Sequence, residues 1–277
     1  MTKIRNKRKL RIFDVINACI MILLGFSFVV PFWIIACSSL SDNGQLMSKG
    51  ISLWFRGFSF EGYAFLFQMS DVFFKSIISS LIVSFSNAAL SVALCTGAAY
   101  VLAKKDLAGR KALNIFFMIP MFFGGGMIPL YLVIRGIKIY DTVWALIFPC
   151  AVRISNVLLL RNYFYGIPTS LNEAGELDGA NQFQILIKII IPLAVPMMLT
   201  IGMIMFVDRW NNWLDTLLYF GSSNTKWWTI QYVLRQILTD MQSLYGSLGG
   251  GSIVDAPLIS ARNAAVVIAV LPLVCLS

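Results

Sequence analysis

The chain has 277 residues, 58% of them hydrophobic and 13% charged, with a mean hydropathy of +0.78; soluble domains run about 45–50% apolar and about 25% charged, so this composition belongs in lipid. It has no His, which removes the commonest general base and the commonest zinc ligand and argues against an enzyme. The net charge of +9 is not a nucleic-acid patch: six of the 22 basic residues lie in the first eleven positions, and four more are Lys104, Lys105, Arg110 and Lys111, the positive-inside pattern of short basic loops beside apolar spans.

In chain order, residues 1–11 form a basic tail expected in the cytoplasm. A secretory signal opens the same way, but the apolar run that follows is longer than a signal's core and ends in Cys-Ser-Ser-Leu, without a small-x-small cleavage site. An uncleaved first span over 12–37 is therefore expected. Residues 38–72 mix Gly, Ser, Asp and aromatics without a long period, as an external loop does. A second span over 73–103 is longer than a bilayer needs and should tilt or project. Its Ser84, Ser86, Asn87, Ser91 and Thr96 are read as helix-packing groups, with Asn87 also a candidate for the translocation path.

Residues 104–111 make a cytoplasmic turn. The third span, 112–134, is interrupted by Pro120, Gly124-Gly125-Gly126 and Pro129, either as a kinked packing helix or as irregular backbone beside a path. An external turn at 135–140 carries Arg135 and Lys138 against the charge rule. The fourth span, 142–163, contains Arg153, which must face protein or water. The fifth, 189–220, turns polar near its end at Asp208-Arg209-Trp210-Asn211-Asn212-Trp213. An external loop over 221–258 leads to a sixth span, 260–277, which barely crosses before the sequence stops and reads as clipped or shorter than its relatives. The expectation is an all-α integral membrane protein: a tail, 1–11, and one transmembrane domain, 12–277, with six helices. The five Cys lie mostly in apolar runs without a CxxC pair and read as small hydrophobes.

No GxxxxGK[ST], HExxH or GxSxG motif occurs, so this chain holds no ATP by the P-loop route and no cofactor or metal is expected in it. The informative stretch is 172–192, NEAGELDGANQFQILIKIIIP, too polar to span at its start and apolar up to Pro192. It resembles the cytoplasmic coupling loop of binding-protein-dependent ABC importer permeases, with Glu173 and Ala174 at the motif's start, Asp178-Gly179-Ala180 at its centre and Pro192 at its end. Gly175 departs from the family's third Ala. The resemblance implies that this segment seats on a nucleotide-binding subunit, with Glu173, Ala174, Gly175, Asp178 and Gly179 as the residues of that contact. On the residues themselves, Asp178 is suited to cap the turn and Gly179 to reverse it.

Pro31-Phe32-Trp33 and Asn211-Asn212-Trp213 resemble the carbohydrate branch, and within it the oligosaccharide importers. That resemblance implies a second homologous permease, two ATPase subunits binding ATP and Mg2+, an external solute-binding protein and a bacterial inner-membrane location with a cytoplasmic N-terminus. Asn87, Arg153, Asn156, Trp210 and Asn211 are the candidates for a polar substrate path. Trp210, Asn211 and Trp213 suit either a sugar's face and hydroxyls or an interfacial aromatic belt. Asp208 and Arg209, adjacent on a helix, each need a separate partner. The alternatives are an importer for an amino acid, peptide or ion, and a stand-alone ion-coupled carrier, for which intramembrane carboxylates are few.

Overall fold

The computed structural model describes residues 12–68, 70–104, 106–220, 224–247 and 258–276. The expected basic tail and the 221–223 and 248–257 parts of the last external loop lie outside the described residues. Among the described residues the regular structure is helical. In order the helices are α1 Ile12–Ser39, α2 Asn43–Lys49, α3 Glu61–Gln68, α4 Ser70–Ala103, α5 Arg110–Phe122, α6 Met127–Gly136, α7 Trp144–Ile147, α8 Ile154–Tyr165, α9 Thr169–Leu177, α10 Gln182–Ile185, a π-turn Leu186–Ile190, α11 Ile191–Trp210, α12 Leu214–Tyr219, a 3-10 turn Thr225–Trp227, α13 Ile230–Ser247 and α14 Leu258–Leu276.

Among the described residues, three helices are by length and composition able to cross a membrane: Phe13–Ser39, Val72–Ala103 and Gln182–Trp210. The bent pair α5 and α6 makes a fourth if it counts as one span. The chain falls into two compact units, one of the residues up to 68 with 237–272, the other of 70–236 with 273–276.

In the first unit, the stretch expected as an irregular external loop contains two helices. Asp42 caps α2 by accepting from the Gln45 amide at 2.8 Å. Gly62 on α3 sits so close to the Ser260 backbone that a Cβ there would lie 2.6 Å from a carbonyl carbon, so only Gly fits. Trp54, Phe55, Phe58, Phe60 and Tyr63 form a chain of ring contacts between 5.0 and 6.4 Å. The sequence reading missed these helices because neither is long enough to show a period.

In the second unit α4 is the central post. Ser76, Ser80, Ser84, Asn87, Ser91 and Cys95 are all buried, and their spacing of three and four residues places them on one face. Small residues there let neighbouring helices approach closely. The Ser80 hydroxyl also accepts from the Ile230 amide at 2.7 Å.

The expected third span is not one helix: α5 and α6 meet at 112° across 123–126, where Gly126 takes φ +81°. The expected fourth span is divided as well. It breaks between α7 and α8, where Pro149 has no N–H to continue the helical ladder. The expected fifth span begins earlier and ends sooner, as a continuous helix from Gln182 to Trp210, with α12 separate. Its π-turn directly precedes Pro192, where the missing N–H interrupts the regular ladder. The turn after α6 is held by Arg135, which lies over the Tyr131 and Tyr140 rings at 5.8 and 5.5 Å.

Candidate functional site

The helix Gln182–Trp210 is about 42 Å long at 1.5 Å per residue, and each end carries one of the two regions read from the sequence.

At the Gln182 end, α9 closes in a fully bonded turn. The Gly179 amide donates to the Glu176 carbonyl and the Ala180 amide to the Gly175 carbonyl, both at 3.0 Å, the paired bonds of a Schellman motif. Gly179 supplies the left-handed residue that motif needs, at φ +77°. The next helix starts from a reciprocal cap: Asn181 Oδ1 accepts from the Gln184 amide and Gln184 Oε1 from the Asn181 amide, each at 2.9 Å. Asp178 was expected to cap this turn. Its side chain makes no cap bond; the cap is Asn181, which the sequence reading passed over although Asn-x-x-Gln was visible.

The orientation of α9 divides the residues carried over from the resemblance. Gly175 is buried, and a Cβ on it would lie 3.1 Å from Ile189 Cδ1 and 3.2 Å from Ile185 Cγ1. It therefore faces inward onto α10 and the π-turn, not outward toward a partner. Leu177, about 200° round the helix from it, is 89% exposed, and Glu173 and Ala174 lie on the same outer side. Leu177 and the exposed Phe183 are apolar outer groups that the motif did not flag. Beside α9, a cleft of about 680 Å³ includes Tyr100, Lys104, Glu173, Glu176 and Gln182 in its lining. Gln182 ties it together: its Oε1 accepts from Tyr100 Oη at 2.9 Å and from Lys104 Nζ, and its Nε2 donates to Glu176 at 2.6 Å.

At the Trp210 end each of the two adjacent charges takes a close partner of its own, besides a longer 4.0 Å contact between Arg209 Nε and Asp208. Arg153 meets Asp208 at 2.7 Å across 55 residues, and Arg209 meets Asp215 at 2.7 Å. Arg209 is 3% exposed and also donates to the Leu146 carbonyl at 3.1 Å. Asn87 Nδ2 donates to the neighbouring Ile147 carbonyl at 2.6 Å. Two of the carbonyls freed at the α7–α8 break, those of Leu146 and Ile147, are thus satisfied by Arg209 and Asn87, as irregular backbone away from water requires.

A cleft of about 690 Å³ opens beside these pairs, lined in part by Arg153, Asp208, Asn211, Asn212 and Trp213. Arg235 stacks over the Trp213 ring at 3.6 Å. Of the five path candidates the structure brings Arg153 and Asn211 to this cleft. Asn87, Asn156 and Trp210 are buried within the chain and line no part of it. Asn87 serves backbone satisfaction, and Trp210 packs, stacked on Phe206 at 6.0 Å. Among the lining residues absent from the candidate set are the polar Asp208 and Asn212.

Among the described residues no group of three or more His, Cys, Asp or Glu is placed to hold a metal ion. Opposed ends of one long helix, one exposed and hydrogen-bonded, the other polar and concave, form the frame of a membrane transport subunit. The family described as "Binding-protein-dependent transport system inner membrane component" matches residues 89–277, and the chain belongs to it. Over 267 residues, 95% of this chain and 92% of the relative, it is 34% identical to the polygalacturonan/rhamnogalacturonan transport system permease protein YtcP of Bacillus subtilis (strain 168). It is 24% identical, over 90% of each chain, to the arabinooligosaccharides transport system permease protein AraQ of the same organism. A crystal structure of a bacterial ABC transporter involved in import of the acidic polysaccharide alginate matches with a TM-score of 0.83 and 25% identity, covering 99% of this chain and 96% of that one. The chain has the ABC permease fold and is an inner-membrane component of such a transporter, the permease and not an enzyme.

Proposed function

We propose that this chain is the permease subunit of an ATP-driven importer for a carbohydrate, an oligosaccharide within that class, working by alternating access. It pairs with a second homologous permease, two ATPase subunits that bind ATP and Mg2+, and an external solute-binding protein. The observation that carries the mechanism is the single helix from Gln182 to Trp210, which runs on through its π-turn. A displacement of the α9–α10 turn by an ATPase is passed along it to the groups at its far end, because a helix is stiff along its axis.

The outer side of α9, with Glu173, Ala174 and Leu177, together with Asp178 and Gly179 at the turn, is the face we assign to the ATPase. Leu177 supplies the apolar anchor and Glu173 a carboxylate. Gly175 and the Gln182 bonds hold that face to the permease. On the side away from the ATPase, Arg153, Asn211, Asn212 and Trp213 offer amides, charge and an aromatic face to a polyhydroxylated ligand. The relatives support this cargo: polygalacturonan and rhamnogalacturonan for one, arabinooligosaccharides for another, alginate for the solved structure.

The scheme places the N-terminus, 104–111 and 173–188 in the cytoplasm, with 41–70 and 222–255 outside. Single-Cys labelling of intact cells, in a background without native Cys, checks it: an impermeant reagent should reach position 135 and spare position 178. The functional test is the purified complete transporter in bilayers, supplied with its binding protein and a panel of neutral and uronate-containing oligosaccharides. At least one should stimulate ATP hydrolysis. Stimulation by amino acids or peptides with none by any carbohydrate overturns the cargo assignment.

A further inference from the structure

The arginines of the second unit's helical core divide into two sorts. Arg153 and Arg209 each have a carboxylate at 2.7 Å. Arg161 on α8 and Arg110 at the start of α5 have none among the described residues, and yet they are close together. Both guanidiniums lie over the one Tyr165 ring, at 5.6 and 5.7 Å. Arg110 donates to the Tyr165 hydroxyl, which in turn donates to the Leu102 carbonyl at 3.4 Å. Arg161 donates to Asn114 Oδ1, and Asn114 is fixed by donating to the Arg110 carbonyl at 2.8 Å. The Nε–H of Arg161 is buried without an acceptor among the described residues. These side chains are held in place, unlike a long side chain that swings out to water.

Arg110, Lys111, Asn114, Ile115, Arg161 and Tyr165 line a cleft of about 430 Å³. Three cations share it and no lining residue is acidic. The amino-terminal end of the 13-residue α5 adds its partial positive charge, with no acidic residue in its first turn. Like charges gathered at the edge of an apolar bundle repel one another unless an anion sits between them. Beyond the cations the wall turns apolar: Ile115, Phe116 and Ile119 are 60%, 67% and 49% exposed along one side of α5.

We infer that this cleft binds the phosphate headgroup of an anionic phospholipid, with an acyl chain lying along Ile115, Phe116 and Ile119. Inorganic phosphate satisfies the cations equally well, but only an amphiphile also covers the apolar wall. The inference rests on the proposed topology in placing the cleft at the cytoplasmic leaflet; the binding itself does not depend on what the transporter carries.

The test is the complete purified transporter in nanodiscs of phosphatidylcholine mixed with phosphatidylglycerol, with retained lipids counted by native mass spectrometry. The wild type should keep phosphatidylglycerol in preference to phosphatidylcholine. R110Q and K111Q should each reduce that retention about fivefold, the weight of one basic residue at a membrane surface; R161Q should abolish it. Phosphatidylcholine counts and carbohydrate-stimulated ATP hydrolysis, read in parallel, separate failure of this site from failure of the transport assignment. Unchanged phosphatidylglycerol retention in R110Q and K111Q overturns the site. Displacement of the lipid by millimolar inorganic phosphate makes it a free-anion site instead. Loss of the ATPase or second permease from these variants, with lipid retention intact, makes it a protein contact and equally overturns the inference.

Discussion

The two ends of the helix Gln182–Trp210 solve opposite problems. At the Gln182 end the backbone and capping bonds of the turn are short-range: Gly179 to Glu176, Ala180 to Gly175, Asn181 with Gln184; the Gln182 side chain reaches farther, to Tyr100 and Lys104. The turn holds its shape by its own hydrogen bonds, and Leu177 and Phe183 are left bare on the outside. At the Trp210 end the bonds are long-range. Asn87 reaches Ile147 across 60 residues, Arg209 reaches Leu146 across 63, and Arg153 reaches Asp208 across 55. A locally closed turn can be pushed as a unit by a partner, whereas a junction of three segments rearranges when any one of them moves. The difference assigns force reception to one end and conformational response to the other.

The harshest way to break this contrast is at the junction. Arg209→Ala removes the partner of Asp215 and the donor to Leu146 while leaving both in place. Breaking a buried pair on one side costs about 3–5 kcal/mol, so the complex should be recovered poorly and unfold at a much lower temperature. Arg209→Ala combined with Asp215→Ala should recover part of the loss in the same melting measurement. A single variant as stable as the wild type would show that the junction is not held by this pair.

Asn87→Ala and Asn211→Ala sharpen the contrast within that end. Asn87 has a backbone acceptor and no cleft to face, so its loss leaves the Ile147 carbonyl unsatisfied, at about 1–3 kcal/mol. Thermal stability should fall and the carbohydrate concentration needed for half-maximal stimulation should not change. Asn211, exposed at the cleft, should do the reverse. Equal effects of the two on ligand requirement would return Asn87 to the substrate path.

How much of this was legible follows from the same distances. Glu173, Asp178-Gly179-Ala180 and Pro192 were recognisable because a motif within twenty residues is a property of local sequence, and Gly179's left-handed φ is something Gly permits wherever it stands. The need of Asp208 and Arg209 for separate partners was legible from adjacency alone. Which partners they took was not, since nothing near Asp208 points to Arg153. Asn87 was misplaced for a related reason. Its acceptor exists only because Pro149 divides the fourth span, and an apolar run over 142–163 shows its composition without showing where its backbone breaks.

At the other end, Gly179→Leu probes whether the turn is a rigid handle. Beyond its own chain neighbours no described atom lies within 4 Å of where a Cβ would sit, so among the described residues the cost is the left-handed backbone alone, about 1–2 kcal/mol. Membrane insertion should be normal, with weakened co-purification of the ATPase and lost stimulation of hydrolysis. Glu173→Ala, on an exposed site, should weaken recovery less. Full recovery and full stimulated transport in both variants would remove the assignment of this turn to the ATPase.

The smallest expected effect, Gly175→Ala, discriminates best between an inward and an outward role for that residue. Ala in place of Gly within a helix is favourable by about 1 kcal/mol. Against this, the new Cβ would stand 3.1 Å from Ile189 Cδ1 and 3.2 Å from Ile185 Cγ1, so both must yield by a few tenths of an ångström. Ile189 can, because the atom is the free end of a half-buried side chain beside the wider π-turn. Ile185 resists, being fully buried on α10. The terms nearly cancel, and the unfolding temperature of the complex should move by less than about 3 °C. ATPase recovery and stimulated hydrolysis should stay at the parental level, because the added methyl points onto α10. Ala174→Leu, one residue earlier and facing out, should leave the melting temperature alone and lower ATPase recovery. If Gly175→Ala instead lowers recovery while the melting temperature holds, residue 175 belongs to the partner's contact and the inward packing of α9 is wrong.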